Sequence, residues 1–212
     1  MRINIRICAF ASAIAISAPA WGDSYEDVMR AIKLDDSKAV ARLLQSGVDV
    51  DTTSRDGESL LMYSAKEGKL SMVRMLLAAK AKVNARNAHG ETALMLAALW
   101  GRTDIAELLL SNGAEVNHIG WTPLMYAAVK NHLATARLLI SRGADINATA
   151  DNGTTPLMMA AREGYLPMVQ LLLDHGADLN HRTPHGYTAL GVAKSRGNHG
   201  VAEALLKAGA EN

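Results

Sequence analysis

The chain has 212 residues, 49% hydrophobic and 4% aromatic, and its 22 Lys and Arg against 21 Asp and Glu leave a formal charge of +1. A balance this even leaves no electrostatic footprint for nucleic acid or for an anionic membrane surface. The only cysteine is Cys8, so a disulfide framework and a paired-Cys metal site are excluded.

Residues 1–20 differ from everything after them. Arg2 and Arg6 come first, an apolar run follows from Ile7 to Ile16, and Ala18, Pro19 and Ala20 close the segment. This pattern predicts a secretory signal peptide with an A-x-A cleavage site before Trp21, cleavage after Gly22 being the second choice. About 14 uncharged residues fall short of the ~20 that a spanning helix needs, so the expectation is export with removal rather than anchoring. The product is then periplasmic or secreted and does not insert in the membrane. Cys8 leaves with the peptide, taking the last thiol. Losing Arg2 and Arg6 brings the basic count to 20 against 21 acidic, a formal charge of −1.

From residue 21 onward the chain repeats itself. Residues 24–54 form a first, atypical unit: Val28, Ile32, Val40, Leu43 and Leu44 supply apolar positions, and Asp23, Glu26, Asp27, Asp35 and Asp36 keep its exterior polar, as an end unit requires. After it a marker recurs: Gly, any residue, Thr or Ser, Pro or Ala, then Leu. Its hydroxyl residues are Ser59, Thr92, Thr122, Thr155 and Thr188, spaced by 33, 30, 33 and 33. A fixed period of this size signifies stacked units. Their approximate bounds are 55–86, 87–117, 118–149, 150–182 and 183–212. In the second unit Lys80 replaces the usual turn glycine, which predicts a strained or reshaped turn. The fourth unit has five steps from Asn117 to Thr122 where Asn84 to Thr92 and Asn147 to Thr155 have eight, so three residues are missing. It also has Asn131 where others have Gly101 or Gly164, and Asn tolerates the left-handed conformation. The last unit carries Gly191 and Lys194 at normally apolar positions, as expected of a solvent-facing cap.

The fifth unit, Asp151 to Asn180, is the clearest. Thr155 is placed to N-cap a helix, Pro156 fits its first position, and Leu157, Met158, Ala160 and Ala161 give it a small-residue apolar face before Gly164 ends it. A second helix starts near Pro167, keeps an apolar stripe at Val169, Leu172 and Leu173, and stops at Gly176. Neither helix is long enough to be stable alone in water, so each unit has to bury its face against the next.

GTTPLMMAA at Gly153 to Ala161, GWTPLMYAA at Gly120 to Ala128 and GETALMLAA at Gly90 to Ala98, together with GADLN, GADIN and GAEVN at Gly176, Gly143 and Gly113, resemble the two halves of the ankyrin repeat over residues 24–212. The resemblance implies an all-α solenoid of about six helix-turn-helix units whose hairpin-like loops project as fingers beside the inner helices. It also implies that partners meet the finger tips and the exposed ends of the inner helices.

No catalytic constellation accompanies the repeats. His89, His118, His132, His175, His181, His185 and His199 are scattered without a metal-ligand spacing and read as surface turn residues. No phosphate loop, nucleophile elbow or spaced carboxylate pair occurs, so neither an enzyme nor a cofactor or metal protein is expected. Met62, Met95, Met125 and Met158 share one repeat position, where the related family more often has His; they read as adaptable apolar filling between units.

The positions implied for partner binding are Arg55, Asp56, Glu58, Lys66 and Glu67 in the second unit and Ala88, His89, Glu91, Leu99 and Trp100 in the third. In the fourth they are Trp121, Val129 and Lys130, in the fifth Asp151, Asn152, Thr154, Arg162 and Glu163, and in the sixth His185, Tyr187, Ser195 and Arg196. Leu99, Trp100, Trp121 and Val129 are apolar and flank the shortened finger. The expectation is a notch floored by both tryptophans, acting as the hot spot for a protein partner. The functional reading is an exported, monomeric, non-catalytic interaction scaffold. The alternatives are an inhibitor or immunity-like protein that masks one partner's active surface, and a metal or redox accessory protein.

Overall fold

The structure, a computed structural model, describes residues 21–211; the expected signal peptide at 1–20 lies outside them. Among the described residues twelve helices follow one another in six pairs: α1 (Trp21–Lys33) with α2 (Ser37–Gln45), α3 (Leu60–Lys66) with α4 (Leu70–Ala78), and α5 (Ala93–Leu99) with α6 (Thr103–Ser111). The series continues with α7 (Pro123–Val129) and α8 (Leu133–Ser141), α9 (Pro156–Glu163) and α10 (Leu166–Asp174), and α11 (Ala189–Ser195) and α12 (His199–Lys207). The architecture is the expected all-α solenoid.

Each inner helix from α3 to α11 starts because a hydroxyl caps it. Ser59, Thr92, Thr122, Thr155 and Thr188 accept from the backbone N–H three residues on, at 3.2, 3.3, 3.3, 3.3 and 3.0 Å. Two of these caps have a second bond: the Ser59 and Thr92 N–H groups donate to the sulfurs of Met62 and Met95, at 3.5 and 3.4 Å. The four aligned methionines are buried between units as expected. In these two, the thioether also takes the acceptor place that Glu or Gln fills in a capping box.

Packing runs in two rows. The inner helices stack on one another through alanines, with Ala97, Ala98, Ala127, Ala128, Ala160 and Ala161 fully buried, so that backbones approach closely. The outer helices stack beside them through Leu76, Ile105, Leu109, Leu139, Leu172 and Leu205. One apolar seam therefore runs through every unit. At its start Val28, Ile32 and Val40 are buried while Glu26, Asp27, Asp35 and Asp36 face solvent; at its end Gly191 and Lys194 are exposed. Lys80 and Asn131 adopt left-handed backbone with φ of +67° and +57°, where neighbouring units use glycine.

Among the described residues one set of polar ties crosses every junction and a second crosses three of the five. Asn84 donates to Gly113 O at 3.0 Å and accepts from Glu115 N at 3.0 Å. Asn117 does the same with Gly143 O and Asp145 N, at 2.9 and 2.8 Å, and Asn147 with Gly176 O and Asp178 N, at 3.4 and 2.8 Å. Asp51 and Asn180 accept from Lys82 N and Glu211 N at the two ends of this ladder. On the other side, Arg102 donates to Lys66 O, His132 to Leu99 O and Asn198 to the carbonyls of Ala161 and Arg162, at 2.8 to 3.3 Å. This second tie explains Gly101. Its φ is +63°, and a Cβ there would lie 2.5 Å from the His132 ring.

Candidate functional site

The loop between one outer helix and the next inner helix forms each finger, named here by the unit it opens. A backbone hydrogen bond across the base closes four of them: Ser54 N to Glu58 O, Asn87 N to Glu91 O, Ala150 N to Thr154 O and Thr183 N to Tyr187 O, at 2.9 to 3.1 Å. The fourth finger has lost the three residues that would make this rung, and among the described residues no backbone hydrogen bond closes it. Its tip, Ile119, is 92% exposed.

Among the described residues three clefts lie between fingers and inner helices. The first, about 370 Å³, lies between the second and third fingers and brings together Glu58, Lys66, His89, Glu91, Leu99 and Trp100. The second, about 250 Å³, lies between the third and fourth fingers and contains His89, Trp121, Tyr126 and Asp151. The third, about 160 Å³, joins Asn152, Thr154, Arg162, His185 and Tyr187 between the fifth and sixth fingers. Glu67, Val129, Lys130, Glu163 and Arg196 stand outside all three, at the ends of the inner helices.

The tryptophans do not share one notch. Trp100, 51% exposed, caps the C-terminal end of α5 and lines the first cleft, whereas Trp121, 43% exposed, belongs to the short finger and lines the second. Only His89 borders both. Trp121 is also partly packed, its ring 5.2 Å from that of Tyr126 and tilted by 51°. It is thus both an exposed surface and a cover over the gap.

Two of the three carboxylates of the first cleft, Glu58 and Glu91, are already engaged. Glu58 accepts from Lys66 Nζ at 2.9 Å, and this bond holds the Lys66 ammonium above its ordinary pKa. Glu91 accepts from Tyr126 Oη at 3.0 Å on one oxygen and from Asn87 Nδ2 at 2.8 Å on the other. Burial, and then the nearby Glu91 charge, raise the Tyr126 phenol far above its usual range, so the hydroxyl remains a donor. Lys66 also sits over the Tyr63 ring, 5.5 Å from its centroid.

Sequence reasoning missed Tyr126 and placed the histidines too simply. Tyr126 stands four residues after its cap, at the place of Tyr63, Leu96, Met159 and Val192, the position that faces the finger base; aligning the units there would have found it. The seven histidines are not all surface turn residues. His132 crosses a junction, His175 Nδ1 donates to Leu171 O at 2.8 Å, and His181 Nε2 donates to Gly153 O at 2.9 Å. His118 occupies the same repeat position as His181, but both its ring nitrogens are buried without a partner. Among the described residues no three His, Cys, Asp or Glu side chains are grouped to hold a metal ion, and no helix is long and apolar enough to cross a membrane.

A family model for ankyrin repeats (three copies) matches residues 28–119, and one for ankyrin repeats (many copies) matches residues 124–173 and 159–206. No curated protein matches the chain.

Proposed function

The chain belongs to the ankyrin-repeat family and is a protein-interaction scaffold; we propose that it is an exported, monomeric and non-catalytic one, gripping its partner along the three clefts. The observation that carries this reading is the row of clefts itself, in which side chains from five fingers and their inner helices converge on one face. Glu58 and Glu91 are spoken for by Lys66, Tyr126 and Asn87, which suits a rigid recognition surface better than acid–base work. Export is supported by the basic start, apolar run and Ala18-Pro19-Ala20 of the leader.

The test is affinity capture from intact cells that express the full chain with a C-terminal tag. Wild type is expected to retain a discrete partner that the double variant Trp100→Ala, Trp121→Ala releases, while Arg137→Ala on the outer face of α8 keeps it. Equal retention by the double variant would move the contact elsewhere. Sequencing the N-terminus of the recovered protein is expected to begin at Trp21 or Asp23; an intact Met1 would overturn the export reading.

A further inference from the structure

We propose that the cleft between the third and fourth fingers takes an arginine or lysine side chain from an extended basic segment of the partner, an inference that rests on the scaffold reading above. The shortened finger makes this cleft unlike the others. Trp121 and Tyr126 meet at 51° with centroids 5.2 Å apart, forming a corner of two π faces, and Trp121 remains open to solvent. The Tyr126 hydroxyl is pinned to Glu91 at 3.0 Å, so its ring cannot swing away. Asp151 reaches over from the fifth finger into the space that the missing residues leave. Its Oδ1 comes so near Gly120 that a Cβ there would lie 3.4 Å from it.

The charges agree with the rings. Among the described residues no Lys or Arg lines this cleft. Across His89, the first cleft adds Asp56, Glu58 and Glu91 against one cation, Lys66, which is already bonded to Glu58. Aromatic faces beside a carboxylate attract a guanidinium or ammonium within about 6 Å of the ring. An acidic segment would meet repulsion here, and a purely apolar one would strip water from Asp151 without replacing its hydrogen bonds. The third cleft has the opposite character, with Arg162 and His185 and no carboxylate. The preference for a cation therefore belongs to the short finger and its acidic neighbour, and the third cleft does not share it.

Two blocked peptides of equal length, one alternating Arg with Leu and one alternating Glu with Leu, serve as probes. Each is titrated into the full chain and followed by tryptophan fluorescence and calorimetry at low and high salt. The Arg peptide is expected to bind, to weaken with salt, and to lose about tenfold in affinity with Asp151→Asn or with Trp121→Leu, while Arg137→Gln on the outer face of α8 leaves it unchanged. Asp151 is exposed at a finger tip, so its variant keeps the test alive should Trp121→Leu fold poorly. Absence of Arg-peptide binding, equal affinity for the two peptides, or indifference to both variants would overturn the proposal. A partner captured by the wild type alongside any of those results would sink the cationic site and leave the scaffold reading standing. Failure of capture with intact peptide binding would do the reverse.

Discussion

His118 and His181 stand at equivalent places in their units and have different fates. His181 donates to the carbonyl of Gly153 in the preceding finger. For His118 the matching carbonyl is that of Gly90, yet the ring nitrogens are buried and unpaired. Burying a polar group without a partner costs about 1–3 kcal/mol, so a well-fitting apolar residue is better tolerated there than the histidine itself. His118→Leu is expected to leave stability unchanged or raise it by about 1 kcal/mol in urea denaturation. His181→Leu is expected to lower it. A clear loss with His118→Leu would mean that its ring is bonded in solution. None of this was legible in the sequence, where the two histidines read as the same turn residue, because the difference lies in where a carbonyl of another unit falls.

The helices, by contrast, were legible almost residue by residue. Thr155, Pro156 and Gly164 mark the bounds of α9 through chemistry that acts within one turn, and Lys80 and Asn131 took the left-handed backbone that a glycine position demands. The asparagine ladder was visible only as a spelling, the final letter of GADLN. That its side chains bridge to the next GAD depends on stacking distance, which a single unit does not contain. Asn117→Ala removes two inter-unit bonds, at 2.9 and 2.8 Å, and is expected to lower stability by about 1–2 kcal/mol in the same assay. Asn112→Ala is the control, since its side chain bonds only Leu108 O within its own helix. Equal effects of the two substitutions would deny the ladder its role between units. Trp100 and Trp121 mark the limit of element-level reading. Both flank the short finger in sequence, but one sits at a helix end and the other in a loop, and they open into neighbouring clefts rather than one.

At the scale of the molecule, stability is the sum of units and junctions in a line. Leu172 is fully buried in the seam between α10 and its neighbours. Leu172→Ala is expected to cost about 2–5 kcal/mol, read as a fall in the melting midpoint. Melting at the wild-type temperature would refute the placement of that helix. The side chains that hold the junctions and those that line the clefts are largely different residues: Asn84, Asn117, Asn147 and Asn180 are absent from all three clefts, while Trp100, Trp121, Asp151 and Tyr187 carry no rung of the ladder. Mutation can therefore revise what the molecule recognises while its scaffolding stays untouched. A lineage built this way is free to change clients without relearning how to fold.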